Sequence, residues 1–154
     1  MAKYYTDHRL KGKHKHFNKK LYDKYDITAR KKIKEKLGDY VIDNSDPYKQ
    51  DFILPNNKKY KYLEIQVCST WEKSKFPYPK IFIYERKSLY GADTLYLTLN
   101  KLMTQGYLFD RNSINNVKPR RLKKWSREFV YDIPWGRVLS LFISDLSKED
   151  IEMY

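Results

Sequence analysis

The amino-acid sequence predicts one α/β domain, close to the border with α+β, around a single β-sheet. The chain of 154 residues is long enough for one sizeable core and short for two. An apolar stripe with the helical period comes first, and several segments with the alternating period of a strand follow it. A second helical stripe comes near the C-terminus. This order of elements is typical of a domain whose helices cover one sheet.

The first predicted helix begins at Asp26 or Thr28, because either side chain can cap a helix N-terminus. It ends at Gly38, a residue that commonly terminates helices. Its buried face is predicted from apolar residues at helical spacing, which are Ala29, Ile33 and Leu37.

The C-terminal part of the chain is predicted to be helical from Trp135 to Leu146, with Pro134 near the start. One face of this helix would carry Val138, Leu139 and Phe142. The domain is thus divided into a basic N-terminal arm (1–25), a core (26–110), and a basic segment with the C-terminal helix (111–154).

Strands are predicted where apolar and polar residues alternate. The most regular of them runs from Tyr60 to Cys68. Asp51–Leu54 precedes it, and the turn-rich Pro55–Lys59 between the two predicts a β-hairpin with a five-residue loop. The other predicted strands are Tyr40–Ile42, Lys80–Arg86 and Thr94–Leu99.

The chain is strongly basic, with a net charge of +13 from 32 Lys and Arg against 19 Asp and Glu. Such an excess favours a polyanionic partner, first nucleic acid and second an anionic membrane surface. Phosphate contacts would make binding weaken steeply with salt, although the arm could also be a merely solvated tail. The predicted nucleic-acid-binding residues are Lys11, Lys13, Lys15, Lys19 and Lys20 in the arm, and Arg120, Arg121, Lys123 and Lys124 in the second basic segment.

Several classes of protein are disfavoured by the sequence. No segment approaches the ~20 apolar residues of a membrane span, and no secretory signal is recognised. Cys68 is the single cysteine, which favours an intracellular, reducing compartment such as the cytoplasm or nucleus, in a cellular or virus-encoded protein. Glycine-rich phosphate loops and Ser-His triads are missing. Base stacking is a further hypothesis for four aromatic residues, namely Trp71, Tyr78, Tyr84 and Tyr90.

An acidic residue interrupts the apolar strand Tyr60–Cys68. Leu63, Ile65 and Val67 are predicted to face the core, so Glu64 and Gln66 share the opposite face, about 7 Å apart. Burial of a lone carboxylate is unfavourable, and Glu64 therefore needs a partner or a function.

That partner is predicted to be Asp51, which lies 13 residues before Glu64 and opens the facing strand of the hairpin. Two carboxylates a few ångströms apart repel each other unless they share a proton or a cation. Carboxylate oxygens suit Mg²⁺ or Mn²⁺, and such an ion polarises a phosphate and acidifies a bound water. The pair is therefore a candidate metal site for phosphate chemistry.

Asp51-Phe-Ile-Leu followed by Tyr62-Leu-Glu64-Ile-Gln66-Val resembles the core of the PD-(D/E)xK nuclease superfamily, which includes restriction endonuclease-like enzymes and Holliday junction resolvases. That core places an Asp at the start of one hairpin strand and Glu-x-Lys on the next, after a helix and a first strand. The resemblance covers roughly residues 27–100. It implies a mixed central sheet flanked by helices, Mg²⁺ or Mn²⁺ held by Asp51 and Glu64, and a metal-dependent nuclease with DNA favoured over RNA.

The chain departs from this motif at the lysine position, which Gln66 occupies, and an amide cannot act as a base. Glu85-Arg86-Lys87 on the next predicted strand is itself a Glu-x-Lys sequence, so Lys87 is a second candidate for positioning water or phosphate. The predicted catalytic residues are thus Asp51, Glu64, Gln66 and Lys87. Alternatively, Glu85 and Lys87 form a strand-end salt bridge, and Glu64 and Gln66 belong to a solvated sheet face.

Two further functions agree with the basic charge. One is a nucleic-acid-binding protein without catalytic activity, which Gln66 favours. The other is a structural protein that packages a viral genome. A nuclease requires Asp51 and Glu64 within reach of one metal ion, whereas a packaging protein does not. The sequence leaves homodimer formation open.

Overall fold

The computed structural model describes residues 20, 22–46, 49–123 and 128–154. Within these ranges the chain forms nine strands and three α-helices, together with shorter turns. In chain order they are α1 (Ile27–Leu37), β1 (Ile42–Asp43), β2 (Phe52–Ile53), β3 (Tyr62–Cys68), β4 (Ile81–Tyr84), α2 (Glu85–Ser88), β5 (Thr94–Asn100), β6 (Gln105–Asp110), β7 (Arg120–Arg121), β8 (Phe129–Ile133), β9 (Leu139–Phe142) and α3 (Lys148–Met153).

The strands form two sheets. The larger has six strands in the order β1-β2-β3-β5-β6-β9, and the smaller has three in the order β4-β8-β7. The larger sheet is mixed, because β3 and β5 are parallel while every other neighbouring pair in it is antiparallel. The prediction of a mixed α/β fold is confirmed, but the second sheet was not predicted.

Helix α1 packs on one face of the larger sheet, as its apolar stripe predicts. Ala29, Ile33 and Leu37 are buried with Leu63 and Ile65 of β3 in one apolar core. The helix ends at a glycine with a positive φ of 54°, which is Gly38. It is preceded by a π-helical turn, Tyr22–Asp26, so the last residues of the predicted N-terminal arm are helical.

The smaller sheet packs on the opposite face of the larger one. Tyr96 and Phe109 of the larger sheet share a second core with Ile81, Ile83 and Ile133 of the smaller sheet. The molecule is thus layered, with α1, the larger sheet and the smaller sheet in succession. All seven residues of β5 are buried, because both faces of the larger sheet are covered there.

The prediction of a helix over Trp135–Leu146 is wrong. A 3₁₀ turn (Trp135–Arg137), the strand β9 and a second 3₁₀ turn (Ile143–Asp145) occupy this stretch. Pairing β9 with β6 supplies hydrogen bonds to a strand that would otherwise be a sheet edge. Leu139 and Phe142 remain exposed, so no buried helical face is formed. The C-terminal helix is instead the short α3.

The predicted strand Lys80–Arg86 is also partly wrong. It ends at Tyr84, and the chain turns into helix α2 at Glu85. Glu85 and Lys87 therefore do not alternate along a strand, and Lys87 pairs with Glu64. The β2–β3 hairpin is confirmed, with a longer loop than predicted, because pairing stops at Ile53 and resumes at Tyr62.

The helices in the described ranges are all too short, or too polar, to cross a membrane.

Gly106 in β6 tests the packing of the larger sheet. A Cβ at this position would lie 2.9 Å from Leu97 Cδ1 and 3.3 Å from Ile143 Cδ1. We expect Gly106→Val to lower the free energy of unfolding by about 1–3 kcal/mol through overpacking. Gly136→Ala is the matched control, because a Cβ there meets no atom within 4 Å. Denaturant unfolding measures both variants, and equal stability of the two would contradict this packing.

Candidate functional site

Asp51 and Glu64 meet at one end of the β2–β3 hairpin. The pairing of Phe52 with Leu63 brings Asp51 opposite Glu64. The Asp51 backbone N–H donates to Glu64 Oε1 at 3.2 Å, and the Ile65 N–H donates to Asp51 Oδ2 at 2.8 Å. The backbone of the hairpin therefore fixes the orientation of both carboxylates.

Both acidic residues are buried. Glu64 is 2% exposed and Asp51 is 6% exposed. The interpretation of Glu64 as part of a solvated sheet face is therefore wrong, because the smaller sheet and helix α2 cover that side of β3. Buried carboxylates require compensating charges or protons.

Two cations supply this compensation. Lys87 Nζ of α2 lies 3.2 Å from Glu64 Oε2, and Arg30 Nε of α1 lies 3.9 Å from Asp51 Oδ1. Arg30 Nη2 also donates to the Asp51 carbonyl oxygen at 3.4 Å. We call Asp51, Glu64, Lys87 and Arg30 the charged cluster. The sequence did not predict Arg30, whose position in the site depends on how α1 packs.

The environment of Glu64 favours its protonated form. Burial, followed by the nearby Asp51 carboxylate, raises the pKa of Glu64 to about 8, although Lys87 opposes this shift. Burial lowers the pKa of Lys87, but Glu64 and Asp51 raise it by more, so its pKa is raised overall. The site therefore combines a lysine that stays charged with a pair of acids that holds a proton.

Gln66 lies on the same side of β3 as Glu64 and joins three strands. Its Nε2 donates to Thr98 Oγ1 of β5 at 2.5 Å and to the carbonyl oxygen of Phe82 in β4 at 3.3 Å. This amide nitrogen is therefore committed to structural hydrogen bonds. Of the four predicted catalytic residues, the structure brings Asp51, Glu64 and Lys87 into direct contact and places Gln66 beside them.

Tyr90 also borders the charged cluster. Its hydroxyl is buried and has no hydrogen-bond partner among the described residues. Burial, then the charges of Glu64 and Asp51, raise the pKa of Tyr90. The sequence suggested base stacking for this tyrosine, whereas the structure packs it against the core shared by the two sheets. No local pattern indicates that position, because it depends on the loop after α2.

Several predicted nucleic-acid-binding residues are exposed on the smaller sheet. Arg120 and Arg121 form its edge strand β7, and Lys123 follows them. Arg120 Nε also contacts Asp132 Oδ2 at 2.7 Å. Lys20 is exposed and helical. The remaining predicted lysines, namely Lys11, Lys13, Lys15, Lys19 and Lys124, lie outside the described residues.

Two carboxylates of the charged cluster are potential ligands for a divalent cation. No group of three or more His, Cys, Asp or Glu side chains with metal-binding geometry occurs in the described part of the chain. Mg²⁺ is commonly held by one or two carboxylates, with waters and phosphate oxygens completing its shell. Asp51 and Glu64 meet that requirement, because two acids forced together retain a proton that a cation can replace. Two neighbouring carboxylates are thus a donor set of the kind that Mg²⁺ or Mn²⁺ takes.

Glu64 should make stability depend on pH. Its pKa is raised in the folded state, so the folded protein binds more protons than the unfolded chain, and stability falls as pH rises from about 5 to about 8. We expect the free energy of unfolding of Glu64→Gln, taken relative to that of wild type, to rise with pH over this range. The rise should be at most about 1.4 kcal/mol per pH unit. Thermal unfolding at several pH values measures the difference.

The control for this prediction is Glu72→Gln, because Glu72 is exposed and forms an exposed ion pair with Lys101. Its stability relative to wild type should not change over the same range. A Glu64→Gln difference that is equally flat would show that Glu64 is not held protonated.

The chain was also compared with known proteins. A scan against protein-family models finds no matching family. Searches of curated proteins and of solved structures find no match either.

Proposed function

We propose that this protein is a metal-dependent nuclease that hydrolyses phosphodiester bonds of nucleic acid, with DNA favoured over RNA. The observation that carries the proposal is the contact between Lys87 Nζ and Glu64 Oε2 at 3.2 Å, beside Asp51. An Asp, a Glu and a Lys are the residues that the resemblance to PD-(D/E)xK nucleases requires in one place. Here the lysine comes from α2, and Gln66 occupies the position it would have on β3.

The order of elements supports a restriction endonuclease-like core. Helix α1 and strand β1 precede the β2–β3 hairpin, with the Asp immediately before one hairpin strand and the Glu on the next. Strand β5 then pairs in parallel with β3 after a crossover that contains α2. This arrangement agrees with the helix, first strand and hairpin that the resemblance describes.

Asp51 and Glu64 would hold the divalent cation, which when bound polarises a phosphate and makes a water more acidic. Hydrolysis would add a water to phosphorus, break one P–O ester bond and leave the water's proton on the departing oxygen. Lys87 has a raised pKa and stays protonated, so it acts as a cation and hydrogen-bond donor toward the scissile phosphate, not as a base. Arg30 and the Ile65 N–H hold Asp51 in place. The pair of acids is thereby positioned before substrate arrives.

A nucleic-acid-binding protein without catalytic activity is a second candidate. One observation favours it: the two carboxylates already have partners within the protein, in the Asp51 and Ile65 N–H groups, Lys87 and Arg30. Such a cluster can serve packing alone. Packaging of a genome would use the same basic surface.

Cleavage assays separate these candidates. We expect the wild type to cut DNA or RNA at low salt with Mg²⁺ or Mn²⁺ and not with EDTA. Glu64→Gln and Lys87→Gln should each lower the rate by about 100-fold or more, because each removes charge that stabilises the transition state. Labelled single- and double-stranded substrates, separated on denaturing gels, provide the measurement.

The matched controls are Glu72→Gln and Lys101→Gln. This exposed ion pair follows the C-terminal ends of β3 and β5, away from the charged cluster. Both controls should cut like wild type. Absence of cutting by every protein, with salt-sensitive binding retained, would favour the second candidate.

Metal binding should release a proton. Glu64 has a pKa of about 8, so it is mostly protonated at neutral pH and must lose its proton to bind a cation. We expect Mg²⁺ affinity to rise between about pH 6 and about pH 8. Isothermal titration calorimetry in buffers of different ionisation enthalpy measures the proton. Heats that do not depend on the buffer would contradict a protonated Glu64.

A further inference from the structure

Three aromatic rings run along the smaller sheet on the side opposite its core. Tyr78, Phe82 and Tyr84 form a chain of edge-to-face contacts, with ring centroids 5.8 Å and 6.0 Å apart. We call these three residues the aromatic strip. Tyr78 is 41% exposed and the other two are half-buried. None of the three belongs to either of the two apolar cores, although Ile81 and Ile83 between them do.

The rings of the aromatic strip are held in place. The Tyr78 hydroxyl is 3.0 Å from Thr70 Oγ1, and Trp135 Nε1 donates to the carbonyl oxygen of Pro79 at 2.8 Å. The Arg86 guanidinium lies 4.3 Å from the centroid of the Tyr84 ring and occupies one of its faces, so base stacking falls mainly to Tyr78 and Phe82. Rings fixed in this way lose little conformational entropy when a ligand stacks on them.

Basic residues predominate around the aromatic strip, although Asp132 of β8 lies opposite Phe82 and pairs with Arg120. The segments 73–84 and 118–123, which include the strip and strand β7, contain seven Lys and Arg and no Asp or Glu. All seven of these basic residues are exposed. Strands β4 and β7 flank β8 in the smaller sheet. An anionic ligand with flat apolar groups matches this combination of rings and charges.

The aromatic strip leads directly to the charged cluster. Strand β4 continues into helix α2, and Lys87 follows Tyr84 by three residues. Gln66 follows Glu64 on the same face of β3, and its Nε2 donates to the Phe82 carbonyl oxygen at 3.3 Å. The strip and the charged cluster are thus connected through α2, and the two acids lie under the covered side of the smaller sheet.

We propose that the aromatic strip binds the bases of a single-stranded nucleic acid while the neighbouring lysines and arginines bind its phosphates. Unpaired bases can stack on aromatic side chains without regard to sequence. Bases inside a duplex are already stacked on each other and offer only their edges. The substrate class is thus a single strand, or a single-stranded segment of a larger nucleic acid. Cleavage of the bound strand rests on the proposed function, whereas binding of the strand does not.

Binding in EDTA tests the inference without any cleavage. A labelled oligonucleotide and its duplex are titrated with wild type, Tyr78→Leu and the double variant Tyr78→Leu/Phe82→Leu, with fluorescence anisotropy as the readout. We expect wild type to bind the single strand more tightly than the duplex. The double variant should lose about tenfold or more in affinity for the single strand, because two bases lose their stacking partners. Its affinity for the duplex should not change.

Phe142→Leu is the matched control, because Phe142 is an exposed aromatic residue on β9 of the larger sheet. It should bind both ligands like wild type. Equal affinity of Tyr78→Leu and wild type for the single strand, or parallel losses for strand and duplex, would overturn the inference. Tyr78 is exposed, so its variant should fold whatever the result with Phe82. If the wild type bound the single strand selectively but did not cleave it, this result would contradict the proposed nuclease activity and not the binding inference.

Discussion

The parallel pairing of β3 with β5 is the constraint on which the rest of the molecule depends. Parallel neighbours cannot be joined by a tight turn, so the chain must leave the sheet and return. Here the connection contains β4 and α2. Strand β4, together with β8, covers the open face of the larger sheet, and α2 brings Lys87 back to Glu64. The topology thus produces the second layer and the charged cluster together.

The charged cluster lies where water is largely excluded. Two carboxylates at 2% and 6% exposure face two cations whose side chains are 18% and 23% exposed. Electrostatic interactions are stronger in such a place than on the surface, which makes removal of one partner unfavourable. The same property suits catalysis, because charges held in fixed positions need little reorganisation during a reaction. The proposed chemistry would therefore depend on the same four residues that balance charge in this buried place.

Local patterns predicted part of this arrangement. The alternation in β3 and its offset from Asp51 were sufficient to place the two acids opposite each other, because a hairpin register is a short-range property. Lys87 was identified as a candidate from its Glu-x-Lys spacing, but on a strand instead of a helix. Arg30 and Tyr90 carried no signal, because only the packing of α1 and of the loop after α2 brings them near.

The wrong prediction of a helix over Trp135–Leu146 has a different cause. Val138, Leu139 and Phe142 fit a helical face, yet the same stretch can pair as a strand with β6. Short apolar runs do not distinguish these two periods, and the unpaired edge of the sheet decided between them. The second sheet was not predicted because β4 pairs with β8, far away in sequence.

The position of Gln66 limits how the charged cluster can change by substitution. Gln66 Nε2 donates to Thr98 Oγ1 and to the Phe82 carbonyl oxygen, so this side chain links β3 to β5 and to β4 without adding charge. A lysine there could donate to the same two oxygens, but it would add a third cation beside Lys87 and Arg30, facing only two acids. A neutral amide therefore ties the two sheets together while the charge balance of the neighbouring cluster is kept.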